Sequence, residues 1–95
     1  MTNPVKVVNE TIGNNSVTVE YYEDTADHYT YVIKAIFGHR CWAKYPHKTD
    51  PRYPSIPTAR YAAMKALEDW CHKNSLIKAF NATINCFQPE LFDNE

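Results

Sequence analysis

Three groups of residues in this 95-residue chain are of types that could do chemistry. His28 stands close to Asp24 and Asp27, a grouping that could move protons in a cleft. His39 and Cys41 alternate along one run, and Cys71 and His72 adjoin on another, which raises the question of a zinc site. None of these readings carries far. A catalytic centre needs a nucleophile or a second constellation held against the first, and the stretch around His28 has neither, so it reads as a solvated loop. Neighbouring helical residues point about 100° apart, so Cys71 and His72 do not readily face one ion. There is no Cys-x2-Cys pair, glycine-rich phosphate loop, metalloprotease helix or nucleophile elbow. The expectation is a non-enzymatic protein with no metal and no cofactor.

What remains are residue types suited to binding. Trp42 lies among Lys34, Arg40 and Lys44, and Trp and Arg are frequent interface hot spots. Either these four form a protein-binding patch, or Trp42 is covered by the proline-rich stretch that follows. Glu20, Glu23, Asp24 and Asp27 form an acidic cluster, while Lys44, Tyr45, His47, Lys48, Arg52 and Tyr53 interleave basic and aromatic groups. The second pattern suits phosphate contact and base stacking, but the chain as a whole has a net charge of −1 rather than the positive balance of nucleic-acid modules. It is dipolar, not basic.

The elements that must position these residues can be read from alternation and turn chemistry. Tyr29 to Tyr45 forms a hairpin around Gly38. A three-residue loop of Gly38, His39 and Arg40 puts Ile33, Ala35, Phe37, Cys41, Ala43 and Tyr45 on a core face. Val32, Lys34, Ile36, Trp42 and Lys44 then share the less buried face. A two-residue loop would mix Arg40 and Lys44 with Ile33 and Phe37, so the longer loop is preferred. Val5 to Ile12 and Ser16 to Tyr22 make a first hairpin across Gly13, Asn14 and Asn15. Prolines 46, 51, 54 and 57 mark a stiff crossing loop. Thr58 to Lys73 is a helix capped by Ser55 or Thr58. Ala59, Ala63, Ala66, Leu67 and Trp70 lie on its packed face, with Arg60 on the polar side and Lys65 placed to pair with Asp69. Leu76, Ile77, Phe80 and Ile84 would suit a helix, but Phe80, Ala82, Ile84 and Cys86 alternate with the poor helix formers Asn81, Thr83 and Asn85, so a last strand over 79–87 is preferred, with a helix as the other reading of 76–87. The sum is a single α+β domain over 1–87, an antiparallel sheet of four to five strands with one α-helix packed on one face, and an acidic tail over 88–95.

The opening residues lack the charged and apolar regions of a secretory leader, and no apolar run is long enough for a membrane helix. Cys41, Cys71 and Cys86 are an odd set suited to reduced thiols. The expectation is a cytoplasmic protein with no membrane partner; a homodimer through an edge strand stays open.

Antiparallel strands, a Gly turn, the Ala-rich helix ARYAAMKALEDW (59–70) and a Phe-x-Pro-Glu run at 87–90 together resemble small α+β proteins encoded by phages, among them anti-CRISPR inhibitors. The likeness spans about residues 29–92 and implies an inhibitor that binds a host bacterial protein or defence complex and blocks a site, with no catalytic residue. The cluster of Glu20, Glu23, Asp24 and Asp27 would then mimic nucleic-acid phosphates. In the tail, Gln88, Leu91 and Phe92 resemble the Gln-x-x-Leu-Phe peptide that holds the bacterial sliding clamp; Pro89 departs from the residue usual there. A helix on an antiparallel sheet also resembles double-stranded-RNA-binding domains, the alternative of another class. Against it, no helix precedes the first strand, and Arg60 and Lys65 stand where those domains have a lysine cluster.

Overall fold

The computed structural model describes residues 3–25 and 27–84. Four strands run in chain order as an antiparallel meander: β1 (Lys6–Ile12), β2 (Asn15–Thr25), β3 (His28–Phe37) and β4 (Arg40–Lys44). Helix α1 (Ile56–Lys73) and helix α2 (Ile77–Ile84) follow. This is an α+β fold, as the sequence predicts, with a second helix where a last strand is expected.

Two hairpins close in the same way. Gly13 and Gly38 take positive φ at the first of two turn residues, +60° and +66°, a conformation that glycine reaches without strain. The second of these turns overturns the three-residue loop. Phe37 pairs with Arg40, Ala35 with Trp42 and Ile33 with Lys44, so the loop is Gly38-His39 and Trp42 lies on the core face. The charges that argued against this register cost little, because β4 is an edge strand. Arg40 reaches out to donate to Oδ1 of Asn74 at 3.0 Å, and Lys44 extends to Asp50 at 3.3 Å. Long basic side chains can leave their stems in a packed face while their charged ends stay wet. Trp42, by contrast, gains a stacked partner in Trp70, ring centroids 5.3 Å apart and 11° from parallel, and Trp70 meets no ring of β4 if the register slips by one.

Alternation buries Val17, Val19 and Tyr21 of β2 and Tyr31, Ile33, Ala35 and Phe37 of β3. Against them α1 sets Ala59, Arg60, Ala63, Met64, Leu67 and Cys71, one stripe at helical spacing. Small alanines bring the helix close, and Leu67 fills the centre with no exposed surface. Ser55 caps the helix, its Oγ accepting from the Thr58 N–H at 3.3 Å, so the helix begins at Ile56 rather than Thr58. Arg60 is a correction too. It is buried, 6 % exposed, beside the hydroxyl of Tyr21 rather than on the polar side. Lys65 pairs with Glu68 at 3.8 Å instead of Asp69.

Residues 77–84 form α2 because helical spacing, not alternation, sends the right side chains inward. Phe80 and Thr83 are buried and Ala82 is exposed, the reverse of what a strand with Phe80, Ala82 and Ile84 on one face requires. The weak helix propensity of Asn81 and Thr83 is offset by burying Phe80 against α1 and the sheet. Thr83 also accepts a hydrogen bond from Nδ2 of Asn15 at 2.8 Å, which ties α2 to the first hairpin.

Two predictions follow from this core. Leu67→Ala should lower unfolding free energy by about 2–5 kcal/mol in urea titrations, and Leu67→Asp should abolish the cooperative transition. The second concerns alkali. Burial pushes the Cys71 thiol from 9.0 up to about 11 and the Tyr31 phenol from 10.0 up to about 12, and burial also raises Tyr21, an effect that nearby Arg60 partly opposes. The unfolded chain therefore releases these protons first. The stability they contribute is complete below about pH 9 and falls as pH rises through about 9–11 for Cys71 and 10–12 for Tyr31. Melting temperature should drop over that range, and less steeply in Cys71→Ala and Tyr31→Phe.

Candidate partner-binding surfaces

Among the described residues both helices lie on one side of the sheet; the other side carries no helix, although Val32 and Thr30 on it are buried, 6 % and 8 % exposed. On it, strand alternation lines up Val7, Glu20 and Val32 in one row, Asn9, Thr18, Lys34 and Ala43 in the next, and Thr11, Ser16, Ile36 and Cys41 in a third. Large apolar groups stand in water here: Val7 is 51 % exposed, Ile36 45 % and Tyr45, just past β4, 60 %. Glu20 accepts from the Tyr22 hydroxyl at 2.9 Å and pairs with Lys34 at 3.9 Å. The Glu20 contact is the main cause that raises the Tyr22 phenol.

The structure divides the residues picked out by sequence. Lys34 lies on the open face, whereas Trp42, Arg40 and Lys44 lie on the helix side, so the four do not form one patch. Trp42 is covered at least in part by Trp70 of α1, which stacks on it. The acidic cluster is also dispersed. Glu20 belongs to the open face, Glu23 accepts from the Asp27 N–H at 3.4 Å near the β2–β3 turn, and Asp24 is held by Nε of Arg52 at 2.6 Å. Gln88, Leu91 and Phe92 lie outside the described residues, as does Cys86.

The basic and aromatic loop is tied down by its own charges. Asp50 takes Nζ of Lys44 and the His47 N–H, and the latter bond is the first cause that holds its carboxyl below the usual range. Arg52 spans from Asp24 to the Asp50 carbonyl, and Tyr53 bridges the backbone of Tyr29. Tyr31 and Tyr53 bring their rings to 6.1 Å, with Lys44 Nζ 5.9 Å above the Tyr31 ring. Two of the cations that suggested phosphate contact, Lys44 and Arg52, are thus neutralised locally. His47, Lys48 and Arg40 remain exposed.

Sequence reasoning missed Val7, Ile36 and Tyr45 as a surface. The signal existed in the parity of Ile36 with Lys34, but the wrong register of β4 set Trp42 on that face and Tyr45 in the core. It also missed Tyr31 and Asp50, which only the loop's return to the sheet brings together. Among the described residues no group of three or more His, Cys, Asp or Glu is placed to hold a metal ion, and no helix is long and apolar enough to cross a membrane. No family model matches this chain, and neither a curated protein nor a solved structure does so.

Proposed function

We propose that the protein is a non-enzymatic binding protein that docks on another protein through the open face of its sheet. The observation that carries this reading is the set of exposed Val7, Ile36 and Tyr45 on a face that both helices leave uncovered. A rigid sheet offers such groups without the ordering cost of a loop. The Glu20 and Lys34 pair set among them adds polar contacts that would fix orientation more than affinity. The resemblance to small phage-encoded inhibitors supports a host bacterial protein or defence complex as the target, bound in the cytoplasm and blocked by occupation. The ion pairs of Lys44 and Arg52 count against the double-stranded-RNA alternative, which needs free cations.

The test is a tagged pull-down from nuclease-treated bacterial lysate, read by mass spectrometry and repeated with variants. A protein target should be recovered, and its affinity should fall at least about tenfold with Ile36→Glu or Tyr45→Ala. Tyr61→Glu, on the exposed side of α1, should leave it unchanged. Recovery of nuclease-sensitive material alone, or a target indifferent to the open-face variants, would overturn the reading.

A further inference from the structure

The ladder between β3 and β4 stops for a chemical reason and leaves a site behind. Ile33 pairs with Lys44, so the same register carried two residues on would set Tyr31 against Pro46. Proline has no N–H to give a strand. Pairing resumes only at Tyr29, which exchanges both backbone bonds with Tyr53 at 2.8 and 3.0 Å. In an antiparallel ladder alternate residues aim N–H and C=O to the same side, so Tyr31, between Tyr29 and Ile33, presents both groups to the gap. Among the described residues no loop backbone group bonds either of them, and the β3–β4 pairing ends at Ile33 and Lys44. At the gap lies a half-open cavity of about 160 Å³ lined by Tyr31, Tyr53, Pro46 and Pro51 together with Thr30, Lys44 and Asp50.

We propose that this cavity binds a flat cyclic amide of the pyrimidine-base class. Its size is close to that of a cavity of about 150 Å³ that takes one benzene ring. The strand edge asks for a donor and an acceptor side by side, which the N3–H and O4 of a uracil ring supply to the Tyr31 C=O and N–H. The Lys44 and Asp50 pair offers polar contact to the ring's remaining edge, and the tyrosines and prolines accept its faces. A peptide strand is the poorer occupant. The unpaired edge is one residue long and closed at both ends, by Ile33 with Lys44 and by Tyr29 with Tyr53.

The site is separate from the open face and does not depend on it. The test is a titration of the full chain with uridine, read by amide nuclear magnetic resonance. Saturable shifts centred on the Tyr31 and Asp50 amides are expected, unchanged in Ile36→Glu. Uridine methylated at N3 should lose at least tenfold in affinity, since its donor is gone. A loss in Tyr53→Ala would agree, but the methylated ligand alone decides the matter if that variant fails to fold. A uridine oligonucleotide that binds no more tightly than uridine would point to the free nucleoside as the ligand, and tighter binding to a base within a strand. Absence of saturable shifts, or equal binding of the methylated ligand, would overturn the proposal.

Discussion

The stack of Trp42 on Trp70 is the contact through which sheet and helix agree on one register. β4 is short, and its pairing could slip by one residue at the cost of a few backbone bonds, but a slip would turn Trp42 away from α1 and leave Trp70 without its parallel partner. Phe37 completes the cluster by meeting Trp70 edge-on, centroids 6.1 Å apart at 78°. From that register follow the two-residue turn, the inward direction of Arg40 and Lys44, and the pairing of Lys44 with Asp50 that draws the proline loop over Tyr31.

Both edges of the sheet share a device. On the helix side β1 carries Lys6, Val8 and Glu10, and β4 carries Arg40, Trp42 and Lys44: in each, one apolar residue between two charged ones. A strand added beside either edge would crowd these charges away from water, a known means of discouraging edge pairing. The arrangement gives no support to a homodimer built by strand addition, and it makes the broad open face rather than an edge the natural place for a partner.

This device also marks where the sequence is legible and where it is not. The first hairpin, the core parity of β2 and β3 and the body of α1 all announce themselves, because Val17, Val19, Ile33 and Phe37 alternate and Ala59, Ala63 and Leu67 recur at helical spacing. The turn at Gly38 does not. Local pattern weighs Arg40 and Lys44 as residues that must avoid a buried face, and it has no view of an edge where long side chains escape sideways. Residues 77–84 mislead for a related reason: alternation and helical spacing both fit a short apolar run, and only the packing of Phe80 and Thr83 against elements distant in sequence chooses between them. The candidate surfaces are the least legible, because local pattern groups Lys34 with Trp42 across a sheet that separates them.

The order of the strands has a bearing on how the chain reaches this structure. Each strand pairs with its neighbour in sequence, and the longest two, β2 with 11 residues and β3 with 10, meet across a turn of a few residues. Loop closure is therefore cheap for the whole sheet, and its pairing can spread outward from one central hairpin. The docking of α1 and α2 must bridge long stretches of chain, as the bond from Asn15 to Thr83 shows, and the prolines between β4 and α1 narrow the conformations that the first of these stretches can explore. The sheet can thus be assembled before the helix arrives, which makes the tryptophan stack a late contact that secures a register rather than one that seeds it.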